Sequence, residues 1–139
     1  MEITSNAIQT VAVNNNVLFT NTAVPGCQTI LHREGSGLVT LRGLTNQCRA
    51  RFRITFGGNI GVPTGQTPEQ ISLAISINGE PDLPTTMIVT PTVVDNYFNV
   101  SSTVFIDVPA CCCSQIAVKN TSTIPINVQN ANLIVERVA

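Results

Sequence analysis

The chain has one lysine, one histidine, one tyrosine and no tryptophan in 139 residues. Charged residues make up 11%, where a soluble chain usually carries about a quarter. Seven Lys and Arg against eight Asp and Glu leave a net charge of -1, which excludes the broad basic field of non-specific nucleic-acid binding. Apolar runs extend for only a few residues, so no membrane-spanning segment is expected. With His32 alone, neither a catalytic triad nor a multi-histidine metal site can be assembled, and the residue reads as a surface or interface histidine. Tyr97 and Phe98 form the only adjacent aromatic pair, too thin for a stacking platform. The carboxylates are scattered, with no pair at neighbouring same-face positions for acid/base work, and no Gly-rich loop precedes a helix. No cofactor and no enzymatic activity are expected.

Asn, Thr and Ser supply the polarity instead, among β-branched apolar residues that favour sheet. Short alternating segments recur with turn signals between them: 7–13, 17–20, 27–32, 38–42, 47–56, 71–78, 86–90, 98–108, 114–120 and 131–138. About ten strands at such spacing predict an all-β sandwich or closed barrel. The stretch 57–70 holds four glycines and two prolines and reads as loop. Asn78-Gly79 predicts a hairpin turn. In 71–78, Ile71, Leu73, Ile75 and Ile77 share one face, and small Ser72, Ala74 and Ser76 the other, read as an exposed outer face. The last strand is apolar on both faces, Leu133 and Val135 one way, Ile134 and Val138 the other, so it is expected to lie between a core and a second surface. The division is a short N-terminal arm, 1–6, and a single domain, 7–139. "MEITSNAIQT" shows neither a basic nor an apolar signal region, so no signal peptide is expected.

Two patterns invite chemistry. In "QCRARFRITF" (47–56), Arg49, Arg51 and Arg53 alternate with Cys48, Ala50, Phe52, Ile54 and Phe56. Three guanidiniums on one strand face suit either an anionic ligand or a subunit interface paired with carboxylates. The five cysteines include "ACCCS" (110–114), whose contiguous thiols lack the spacing of a zinc site. Cys111, Cys112 and Cys113, with Cys27 near the same end, read as reduced thiols or as disulfide partners within or between subunits.

The order "VLFTNTAVPG", "ILHREGSGLVTLRG", "ISLAISINGEP", "STVFIDVPA", "IAVKNTS" and "NANLIVERVA" resembles the tumour necrosis factor and complement-type jelly roll, above all the bacterial branch capping collagen-like surface fibres. "CQTILHREGSGLVTLRG", "QCRARFRITFGGNIGVPTG" and "NVQNANLIVERVA" are also similar to small stand-alone proteins encoded among phage and prophage head genes. No collagen-like Gly-X-Y stalk is present. The resemblance implies two antiparallel sheets and a homotrimer. The arginine strand and the last strand then belong to the inner sheet, with Arg49, Arg51, Arg53, Ile134, Glu136 and Val138 at the interface and Glu136 as the arginines' partner. It further implies a capsid decoration protein on the virion surface, made in the bacterial host cytoplasm, whose partner is the major capsid protein. The alternative is an adhesion or carbohydrate-binding module at the bacterial cell surface. Neither nucleic acid nor a membrane is an expected partner.

Overall fold

The computed structural model describes every residue except 44, 45 and 47. Gln47, where the arginine strand was expected to begin, lies outside the described residues. Twelve strands are present among those described: β1 (Glu2–Ser5), β2 (Gln9–Val11), β3 (Asn21–Val24), β4 (Ile30–His32), β5 (Val39–Arg42), β6 (Arg49–Gly61), β7 (Ile71–Ile77), β8 (Glu80–Pro81), β9 (Met87–Val89), β10 (Phe98–Pro109), β11 (Cys113–Asn120) and β12 (Ile126–Arg137). They form two antiparallel sheets. One runs β10-β6-β12-β1-β3, with β2 also on β12; the other runs β4-β5-β11-β7-β8, with β9 also on β7.

The core lies between the sheets and follows the period of two. Ala50, Phe52, Ile54 and Phe56 of β6 are fully buried, as are Val135 of β12 and Ile3 of β1. Val39, Leu41, Leu73 and Ile75 meet them from the second sheet. Each large apolar side chain removed from water contributes about 1.5–3 kcal/mol. The β7–β8 hairpin forms at Asn78-Gly79, whose φ values of 53° and 90° suit a tight primed turn.

Several expectations are corrected. Residues 1–6 are not a separate arm: β1 pairs with both β12 and β3, because Ile3 and Ser5 alternate inward while Glu2 and Thr4 face out. Only Gln9–Val11 of the first expected strand enters a ladder. Segment 17–20 is not a strand; Val17 and Phe19 are buried, and Val17 donates to the Val118 carbonyl at 2.8 Å. The strand follows at Asn21–Val24, a largely exposed segment without the alternation that reveals a half-buried strand. β6 continues through Gly57, Gly58 and Gly61 despite their low strand propensity, because β10 and β12 bond it from both sides. Cys48, in phase with the Ala50–Phe56 row that faces the core, is nevertheless exposed just before β6. Ser72 is half-buried, its hydroxyl 2.6 Å from that of Thr121 and its N–H donating to Ser122 Oγ at 2.7 Å.

Candidate interaction face

β6 is the middle of three long antiparallel strands, and its register with its two neighbours builds the outer face of their sheet. Arg51 stands opposite Asp107 of β10, while Arg53 lies between Phe105 of β10 and Glu136 of β12. Thr55 follows, between Thr103 and Ile134. Arg51 grips Asp107 with two bonds, Nε to Oδ1 at 2.8 Å and Nη2 to Oδ2 at 3.0 Å, and Arg49 Nε lies 3.5 Å from the same carboxylate. Arg53 donates to Glu136. Side-chain exposure is 62% for Arg49, 40% for Arg51 and 49% for Arg53, so the middle guanidinium is the most enclosed.

The electrostatics follow the geometry. The Arg51 hydrogen bonds hold the Asp107 carboxyl below its usual range against an opposing desolvation, with the charges of Arg51 and Arg49 adding smaller lowering effects. Asp107 in turn raises the Arg51 guanidinium, first by hydrogen bonding and then by charge. Beside these pairs stand large apolar groups: Phe105 is 59% exposed, Ile134 40% and Val138 44%. An aromatic ring and two branched aliphatic side chains in water, next to three guanidiniums that share two carboxylates, make a face better suited to a protein surface than to a free anion.

All six residues expected at an interface lie on this side. Arg49, Arg51 and Arg53 alternate with the buried row of β6; Ile134 and Glu136 do the same on β12. Val138, just beyond β12, donates its N–H to the Arg51 carbonyl at 2.8 Å. Glu136 pairs with Arg53 and not with Arg51. Asp107 and Phe105 were missed. Their alternation in "VFIDV" places both on one face, but only the β10–β6 pairing reveals which arginines they meet.

The cysteines occupy one end of the sandwich, on three connections. Cys27 precedes β4, Cys48 precedes β6, and Cys111–Cys113 turn from β10 into β11; all five are free and exposed. The Thr29 hydroxyl, 2.9 Å from Cys27 Sγ, lowers that thiol's pKa, helped by the Thr29 backbone and, more weakly, by Arg137. No group of three or more His, Cys, Asp or Glu could hold a metal ion among the described residues. His32 Nε2 meets the Ser36 carbonyl at 2.9 Å, and its ring packs edge-on to Phe19, a structural placement. A cleft of about 520 Å³ is open and lined by amides and hydroxyls around Gln9, Asn14–Asn16 and Ser36 together with apolar Val11, Leu18 and Leu38, with no titratable side chain.

No family model and no curated protein matches this sequence. Solved structures do match in fold. The globular domain of zebrafish complement 1qA protein superposes with a TM-score of 0.71 at 8% identity, over 99% of this chain and 95% of that one. The C-terminal domain of EclA, a sugar-binding protein, gives 0.47 at 12% identity, over 95% and 79% of the two chains. CBM35 from Cellvibrio japonicus Abf62 gives 0.37 at 12% identity, over 100% and 97%. The first likeness defines the class: this is an all-β jelly roll with the two-sheet architecture of the complement globular domain. The other two are too loose to carry an argument.

Proposed function

We propose that this chain is a non-enzymatic binding module that works as a homotrimer, associating through the outer face of the β10-β6-β12 sheet. One observation carries the reading: matched arginine–carboxylate pairs and exposed Phe105, Ile134 and Val138 share one sheet face. Covering those apolar groups contributes up to about 1.5–3 kcal/mol for each large side chain fully removed from water. Charges that enter already paired avoid the cost of burying lone ions. Support for a non-catalytic role comes from the titratable groups. Asp107 and Glu136 are tied to arginines, and His32 to a backbone carbonyl. Decoration of a phage capsid, with the major capsid protein as partner and the virion surface as location, rests on the sequence resemblance alone. The binding-module reading needs only the fold and a free outer surface; its location at a bacterial cell surface rests, like the virion one, on the sequence resemblance.

Light scattering in reducing buffer at micromolar concentration is expected to give three times the 14.8 kDa chain mass. A stable species of one chain mass would end the trimer reading. A glycan array then tests the module's ligand class, with binding to no glycan counting against the carbohydrate branch.

A further inference from the structure

We infer that the cysteine-bearing end of the sandwich is a site of covalent cross-linking, where disulfides join this chain to further copies of itself through the β10–β11 turn. The inference goes beyond the trimer reading and does not rest on it.

Three connections bring the thiols to this end. The Ala110 N–H donates to the Cys48 carbonyl at 3.1 Å, and the Gly43 N–H to the Cys112 carbonyl at 2.8 Å. Cys113 stands opposite Arg42, whose own N–H donates at 2.8 Å to the Thr29 carbonyl beside Cys27. A Cβ at Gly43 would collide with the Pro109 carbonyl oxygen, so Gly43 is pressed against the turn. All five thiols nevertheless remain free and exposed.

Their number is odd, so full oxidation cannot be completed within one chain; at least one sulfur needs a partner from outside. An identical chain brings the same thiols at the same end, which makes it the self-matching partner. The turn also carries a conformational mark. Among the described residues, five non-glycine ones have positive φ, and four of them are Asn or Asp, which tolerate it. The fifth is Cys111, at φ 60° in the turn closed by Cys112 N–H to Pro109 carbonyl at 3.1 Å. A cysteine holds the place that glycine or asparagine ordinarily takes in such a turn.

The chemistry is two thiol–disulfide exchanges with a low-molecular-weight disulfide as oxidant. A turn thiolate of one copy attacks the small disulfide, forming a mixed disulfide and expelling one small thiolate. A thiolate of the second copy then attacks the protein sulfur of that mixed disulfide and expels the other. Two protein thiols are oxidised, one small disulfide is reduced to two thiols, and the two protons released pass to solvent or to the small thiolates.

The test treats reduced wild-type protein with oxidised glutathione, quenches with an alkylating agent and resolves the products on denaturing gels without reductant. Most of the monomer band is expected to shift to dimer and above, reversibly with dithiothreitol. Cys111→Ser/Cys112→Ser/Cys113→Ser is expected to abolish the shift with an unchanged melting temperature. Cys111→Gly should raise the melting temperature while reducing the cross-linked fraction. Peptide mapping of the wild-type multimer should find a sulfur from the turn in each inter-chain link, a readout that stands even if the triple variant misfolds. Monomer carrying only glutathione adducts or internal disulfides would overturn the inference, as would links that map elsewhere. Light scattering of the reduced protein separates this outcome from the trimer question.

Discussion

Asp107 accepts two hydrogen bonds from Arg51 and lies 3.5 Å from Arg49 Nε, so its charge is needed to offset those guanidiniums. Its folded pKa lies below the ordinary carboxylate value. The stabilisation is therefore fully present above the ordinary value and lost as pH falls through the depressed one. Wild-type protein should lose stability on acidification through that acid window. Asp107→Asn should be less stable at neutral pH and show a flatter profile there, as read from urea midpoints at a series of pH values. Identical profiles for the two proteins would show that the Arg51–Asp107 contact contributes nothing in solution. None of this pairing is legible from residue order alone. Asp107 is one of eight scattered acids, and only the strand register sets it against Arg51.

β12 contains a place where strand logic changes phase. Val128 stands opposite Ile60 and Gln129 opposite Asn59, but Asn132 is already opposite Gly57, leaving two residues against Gly58. Asn130, at φ 54°, takes up the extra length. Before it Ile126 and Val128 point inward; after it Ala131, Leu133 and Val135 do. Deleting Asn130 should turn the last three outward or force the pairing to slide, and exposing Leu133 and Val135 costs about 1.5–3 kcal/mol each. The expected outcome is insoluble or molten protein by circular dichroism and thermal melting, whereas Asn130→Gly should melt within a few degrees of wild type. The strands that could be read from the sequence were β2, β4, β5, β7, β9, β10 and β11, the first half of β6 and the second half of β12, with the most sustained alternation in β6, β7, β10 and β12. β3 escaped notice because little of it is buried, and β1 because Ile3 is its single apolar residue. The far half of β6 was mistaken for loop because its glycines speak of local preference, while two neighbouring ladders decide the matter.

Assembly can be tested by contrasting the two outer faces. Ile134→Asp puts a carboxylate in the middle of the proposed interface, at a side chain 40% exposed in the single chain. It should leave the fold intact and lower the scattering mass to that of one chain. Gln115→Asp, at an exposed position of β11 in the other sheet, should leave the mass unchanged. If both variants assemble alike, the interface has been assigned to the wrong surface. The sequence could suggest that the last strand was covered on both sides, since Ile134 and Val138 oppose Leu133 and Val135. It could not suggest that Phe105, two strands away from Ile134, belongs to the same patch.

β10 ends its sheet among the described strands: it bonds β6 along its whole length and has no partner on its other side. Along this strand roughly every second residue turns its backbone donor and acceptor away from β6, a template for any passing strand. The usual safeguards against this are sparse, since Phe98–Val108 contains no lysine or proline and a single aspartate. The consequence is colloidal. When heat or dilution loosens the molecule, this rim is where chains should begin to add to one another, ahead of unfolding of the core. Ser101→Lys, an exposed position on that rim, should raise the temperature at which scattering begins while leaving the circular-dichroism melt where it was. Scattering onset that follows the melt equally in both proteins would place the origin of aggregation elsewhere.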